Sequence, residues 1–264
     1  MTRPLLEVHD LRTYFHVGRA MMGRRSVLKA VDGVSFHIHD GEVLGLVGES
    51  GCGKSTVGRT LTRLEAATDG HVVFDGQEIL HLSSSVFRPL RRDIQMIFQD
   101  PFASLNPRLR IEQMLAEPLL IHKLVHNRSE ARQRIASMLE RVGMDAGSMD
   151  RYPHEFSGGQ RQRIGIARVM ILQPRLIIAD EPVSALDISI QAQVLNLMKK
   201  LQRDSGVSML FISHDLGTIR HISDRVAVMY NGKLVETAAK QQIFQAPQHA
   251  YTQSLLDSIP RIDL

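Results

Sequence analysis

Residues Gly48 to Ser55 read Gly-Glu-Ser-Gly-Cys-Gly-Lys-Ser, directly after the apolar run Val43-Leu44-Gly45-Leu46-Val47 and before a helical pattern over 54–64. This order constrains the fold more than any other stretch. Gly48, Gly51 and Gly53 let the backbone curl its N–H groups around an anion, and the helix that follows adds the positive end of its dipole. Strand, anion loop and helix in that order predict an α/β fold. The spacing is that of a phosphate-binding loop, with Gly48, Glu49, Ser50, Gly51, Cys52, Gly53, Lys54, Ser55 and Thr56 as the nucleotide contact. Lys54 is expected on the β- and γ-phosphates and Ser55 on Mg²⁺. Cys52 reads as a small filler inside the loop.

A second signal lies downstream. Residues 176–179 are Leu-Ile-Ile-Ala, and Asp180 and Glu181 follow at once. A strand that ends in two carboxylates places acids at the carboxyl edge of the sheet, beside the phosphate loop. Asp180 can then hold Mg²⁺ through water, and Glu181 can polarise an attacking water held in line with the γ-phosphate. A third signal is Ser157-Gly158-Gly159-Gln160, which directly precedes a helical pattern over 161–172 and forms a further anion site at a helix start. One nucleotide needs one cradle, so two cradles point to a composite pocket across a dimer.

Other β-like runs fall at 5–15, 27–39, 71–74, 94–98, 208–212 and 226–230, and a basic segment over 18–25 splits the first two. Amphipathic stretches at 111–125, 129–142 and 188–204 predict helices, and the tail from 241 reads as helical with a break at Pro247. With 264 residues, 43% of them hydrophobic, the chain can bury a large core. One cysteine excludes an intramolecular disulfide framework and agrees with a reducing compartment. The first residues lack the apolar run of a signal peptide, and no apolar stretch is long enough to span a bilayer, so membrane association is expected through a partner. Twelve histidines do not make a metal site: His37 and His39 can share a strand face, but no third ligand lies near them in sequence.

Together with Gln99 after an apolar strand, Ser184-Ala185-Leu186-Asp187 after the acidic strand and His214 after Phe211-Ile212-Ser213, these motifs resemble the nucleotide-binding subunits of ATP-binding cassette transporters nearly end to end. The resemblance implies a P-loop NTPase (RecA-like) core with an N-terminal antiparallel β subdomain and an inserted helical subdomain. The core would take 1–99 and 173–240, the helical signature subdomain 100–172, and a C-terminal extension 241–264. It further implies that Glu181 is the general base and that Gln99 senses Mg²⁺ and the attacking water. His214 would contact the γ-phosphate. Ser157, Gly158, Gly159, Gln160 and Asp187 would act on ATP held by the opposite subunit. Ser55, Gln99 and Asp180 are the implied Mg²⁺ residues. Phe15 stands where the family carries an aromatic residue that stacks on adenine, with Tyr14 as the alternative. Phe156 replaces the family's usual leucine, an apolar exchange expected to leave the signature intact.

A finer resemblance is to the ATPases of dipeptide and oligopeptide permeases and their nickel-importing relatives. It rests on 98–107, on Arg151-Tyr152-Pro153-His154-Glu155-Phe156 and on the tail Pro247-Gln248-His249-Ala250-Tyr251-Thr252, where Ala250 departs from the usual proline. The implied partners are a second ATPase subunit, identical or paralogous, two integral membrane permease subunits and, indirectly, a periplasmic or extracellular solute-binding protein. Nucleic acid is not among them. The implied location is peripheral, on the cytoplasmic face of the cell membrane. The tail has no cysteine, so the iron-sulfur cluster of some members is not expected.

Overall fold

The computed structural model describes residues 3–17, 26–100 and 105–258. The basic segment over 18–25 and residues 101–104, part of the stretch after Gln99, lie outside the described residues. The chain forms two compact units, Met1–Phe87 with Ser208–Leu264, and Arg88–Val207.

The first unit opens with β1 (Leu6–Val17) and β2 (Ser26–Ile38), which pair antiparallel. Alternation explains the pairing. Leu6, Val8, Leu11 and Thr13 of β1 and Val34, Phe36 and Ile38 of β2 are buried, with more polar neighbours between them. β3 (Val43–Val47), α1 (Lys54–Leu61), β4 (Asp69–Phe74), β5 (Gln77–Glu78) and the single turn α2 (Ser84–Phe87) complete its N-terminal part. The antiparallel sheet has the order β2-β1-β4-β5. α1 ends three residues before the expected boundary. Arg63 takes a left-handed φ of 56°, and the N–H groups of Leu64 and Glu65 both turn back to the carbonyl of Arg59.

The second unit contains β6 (Ile94–Ile97), α3 (Ile111–Ile121), α4 (Arg128–Arg141), α5 (Gly158–Met170), β7 (Leu176–Asp180) and α6 (Ile188–Ser205). Ile111, Met114, Leu115 and Leu119 give α3 one buried stripe, and Ala131, Ile135, Met138 and Leu139 do the same for α4. Asn127 caps α4 by accepting from the Glu130 N–H at 2.9 Å. β6 and β7 pair in parallel with Ile97 opposite Ala179.

The chain then returns to the first unit with β8 (Ser208–Ser213), α7 (Leu216–Ile222), β9 (Arg225–Tyr230), β10 (Lys233–Ala239), α8 (Lys240–Gln245) and α9 (Ala250–Asp257). There the strand order is β10-β9-β3-β8, with β3 parallel to both β8 and β9. All five residues of β3 are buried, as befits a strand with neighbours on both sides. β10 is absent from the sequence reading. It pairs with β9 through Asn231-Gly232, whose φ values of 46° and 81° are those of the tight hairpin turn that Asn-Gly favours. The predicted α/β class holds.

Candidate active site

In the first unit the phosphate loop joins β3 to α1. Two crowded positions explain two of its three glycines. A Cβ on Gly48 would lie 2.1 Å from the Met229 carbonyl oxygen, and one on Gly53 would lie 2.0 Å from the Ala30 oxygen, while Gly53 also holds a φ of 108°. Lys54 starts α1 and is only 4% exposed. Its ammonium donates to the carbonyls of Gly48 at 2.7 Å and Glu49 at 2.8 Å, so the side chain folds back over the loop. No carboxylate pairs with Lys54 among the described residues. A buried cation without a counter-ion beside glycine-rich backbone fits an anionic ligand and fits no structural ion pair. Cys52 is buried, and burial raises its thiol pKa despite the nearby Lys54, which disfavours the thiolate.

The register places His214 with equal economy. β3 and β8 pair Val47 with Ser213, so Gly48 and His214 are the next residues on their strands. His214 is exposed, and Asp215 caps α7 by accepting from the N–H groups of Gly217 and Thr218 and from the Thr218 hydroxyl. Burial of Asp215 would raise its pKa, but the hydrogen bonds from Thr218 and Gly217 outweigh it and the carboxyl titrates below its ordinary range. A depressed folded pKa means this cap stabilises above the unfolded carboxylate pKa. The contribution is lost as pH falls through the folded one.

The aromatic candidates Tyr14 and Phe15 follow Thr13 on β1, and both are half-buried. Thr13 faces α1, where its hydroxyl lies 3.0 Å from that of Thr60. Tyr14 is engaged locally. Its hydroxyl donates to Asp32 at 2.5 Å, and the Lys29 ammonium sits 5.2 Å from its ring centre. The bond to Asp32 raises the Tyr14 pKa and lowers that of Asp32.

In the second unit β7 delivers the acids. Asp180, its last residue, is 2% exposed, and Glu181 follows with a left-handed φ of 46°. Such a φ is uncommon for a residue with a side chain. It is held by Ser184, whose N–H and hydroxyl both donate to the Glu181 carbonyl. Because Ile97 stands opposite Ala179, Gln99 comes level with Glu181, and the Gln99 amide donates to the Glu181 carboxylate at 3.1 Å. This amide aims the carboxylate.

Ser157 caps α5. The Gln160 N–H approaches its hydroxyl at 3.4 Å, and the Ser157 N–H donates to the Gln160 side-chain carbonyl at 3.0 Å. Both side chains are exposed while Phe156, with the Arg151 guanidinium 4.4 Å from its ring centre, is buried as an anchor. A Cβ on Gly159 would lie 2.5 Å from Ile190 of α6, so close approach requires glycine there. Asp187 is exposed and starts α6. Among the described residues no group of three or more His, Cys, Asp or Glu side chains can hold a metal ion, and no helix is long and apolar enough to cross a membrane.

Strand, anion loop and helix, with a buried lysine in the loop and an amide-steered carboxylate after an acidic strand, define a nucleotide-hydrolysing cassette. The chain belongs to the ABC transporter family, whose model matches residues 31–184, and is an ATP-binding ATPase subunit of that family. Residues 235–264 match the oligopeptide/dipeptide transporter C-terminal region. Among curated proteins, the oligopeptide transport ATP-binding protein OppF of Bacillus subtilis is 53% identical over 264 residues, which cover all of this chain and 85% of that one. The dipeptide transport ATP-binding protein DppF of Escherichia coli is 49% identical over 263 residues, covering 100% of this chain and 78% of that one. Among solved structures, the dimeric post-hydrolysis ATP-binding cassette MJ0796 bound to ADP and Pi superposes with a TM-score of 0.79 at 26% identity, covering 89% of this chain and 98% of that one.

Proposed function

We propose that this chain drives the import of oligopeptides or dipeptides by hydrolysing ATP in a composite site shared between two cassettes. One observation carries the catalytic part: the Gln99 amide holds the Glu181 carboxylate at 3.1 Å, on a backbone kept in a strained conformation. Glu181 takes a proton from the attacking water as the water oxygen bonds to the γ-phosphorus and the bond to the ADP oxygen breaks. Lys54 and the loop N–H groups hold the phosphates, and His214 steers the γ-phosphate. Ser55, Gln99 and Asp180 offer hydroxyl, amide and carboxylate oxygens. Each is a hard donor of the kind Mg²⁺ takes, and the ion would neutralise charge on the phosphates. From a second cassette, the exposed Ser157 hydroxyl and the α5 N-terminus would bind the same ATP, and Asp187 would signal across the interface.

Peptide cargo is supported by the names of the relatives and by the C-terminal match. As an ATP-binding subunit of this transporter family, the chain would bind permease subunits at the cytoplasmic face. Affinity capture of the tagged chain from detergent-solubilised membranes should bring down two integral membrane proteins in stoichiometric amount. Recovery with ribosomes or DNA and no membrane protein would overturn the transport reading.

Adenine stacking would fall to Phe15, with Tyr14 as the alternative, because the Tyr14 hydroxyl is engaged with Asp32. Stacking a base on an aromatic ring is worth about 1–3 kcal/mol, so Phe15→Ala should weaken ATP binding by roughly 5- to 150-fold. Tyr14→Ala, which removes the competing ring, should leave it unchanged, as measured by nucleotide titration. The reverse pattern would transfer the role to Tyr14.

A further inference from the structure

The C-terminal segment reaches the phosphate loop, and the proposal built on that contact rests on the reading of the loop given above. The Tyr251 hydroxyl accepts the backbone N–H of Glu49 at 3.2 Å, across 202 residues of sequence. That N–H belongs to the peptide unit whose carbonyl, on Gly48, accepts from the Lys54 ammonium at 2.7 Å. A single peptide group is therefore held at both ends, by the lysine that would bind phosphate and by a tyrosine from the far end of the chain. Hydrogen bonds in such a chain polarise one another and fix the plane of the peptide between them.

Tyr251 is itself held on two sides. Its ring packs on Tyr230 at the end of β9, with centroids 4.2 Å apart, and β9 is the strand whose Met229 carbonyl crowds Gly48. The turn into α9 is pinned by Glu236 of β10, whose carboxylate accepts the N–H groups of Gln248 at 2.8 Å and His249 at 3.1 Å. His249 then caps the helix by accepting the Tyr251 N–H. These contacts leave Tyr251 little freedom to follow the loop if the loop moves.

We propose that Tyr251 is a positioning residue for nucleotide binding: through the Gly48–Glu49 peptide it keeps the loop carbonyls, and with them Lys54, in the arrangement that receives phosphate. The C-terminal extension is thereby part of the ATP site's support and transmits its own state to Lys54.

The test uses the full chain with Tyr251→Phe, which removes only the hydroxyl and keeps the ring on Tyr230. Loss of one neutral hydrogen bond should raise the dissociation constant for ATP about fivefold. In concentrated protein, KM for ATP should rise by a similar factor while kcat stays within about twofold. The melting temperature of the ligand-free chain should stay within about 2 °C of the parent. Glu236→Gln, which leaves Tyr251 intact and loosens the turn that carries it, should move KM in the same direction. Unchanged ATP affinity in Tyr251→Phe, with binding lost in Lys54→Met, would overturn the proposal and leave the loop assignment standing. A lowered melting temperature with kcat falling as far as affinity would also overturn it, because that is a general structural defect. Retained affinity in Lys54→Met would instead overturn the loop assignment itself.

Discussion

Glu181→Gln is expected to lower ATP turnover by about three orders of magnitude, the size of effect that loss of a positioned general base produces. ATP affinity should stay near that of the parent. The substitution keeps the side chain's shape and an oxygen for the Gln99 amide to meet, so the 3.1 Å contact has an acceptor in both proteins. What disappears is the negative charge that accepts the water's proton. With ATP bound and not cleaved, two copies should remain closed on the nucleotide, and size-exclusion chromatography with ATP should show a dimer that ADP does not support. A variant that hydrolyses ATP at the parent rate would remove Glu181 from its role. The left-handed φ of 46° is unaffected by the exchange, because it depends on the backbone and on Ser184.

Lys54→Met has the second large effect, and it acts on binding. Hydrogen bonds to charged groups are worth about 1.5–3 kcal/mol each, so losing the ammonium should weaken ATP binding by roughly 10- to 150-fold. The stability of the ligand-free chain should not fall in proportion. Lys54 is 4% exposed and its ammonium is met by neutral acceptors, two carbonyls and the Cys52 thiol, so replacing it by an apolar chain of similar length removes a desolvated charge. Thermal unfolding without nucleotide should show parity or a gain, and titration with ATP should show the loss. A large drop in ligand-free stability would mean that the lysine is a structural group.

The parts of the site that rest on local spacing were legible in the sequence. Gly48 to Ser55 announced a strand-loop-helix unit, and β3 and α1 flank it as expected. Leu176 to Glu181 announced a buried strand ending in acids, and all five residues of β7 are buried. The chain belongs to the family those motifs resemble. The parts that rest on distant approach were not legible. Tyr251 stood out only as a piece of the tail pattern, and nothing in its neighbourhood indicates that it ends beside Glu49. The engagement of Tyr14 with Asp32, which favours proposing Phe15 for adenine, joins residues 18 apart and has no local signal either. β10 was missed for a different reason. Its seven residues, Lys-Leu-Val-Glu-Thr-Ala-Ala, include none that is fully buried and so lack a core-facing alternation. The Asn231-Gly232 turn before it was the available signal.

A composite site would assign Lys54 and Ser157 of one chain to two different ATP molecules. The measurement that checks it is the ATPase rate per chain as a function of chain concentration, with the association state followed by sedimentation in the same buffer. The rate per chain should rise with the dimer fraction and fall toward zero as the protein dissociates, while ATP binding persists in the monomer. Equal turnover per chain by a sample that sediments entirely as monomer would contradict it.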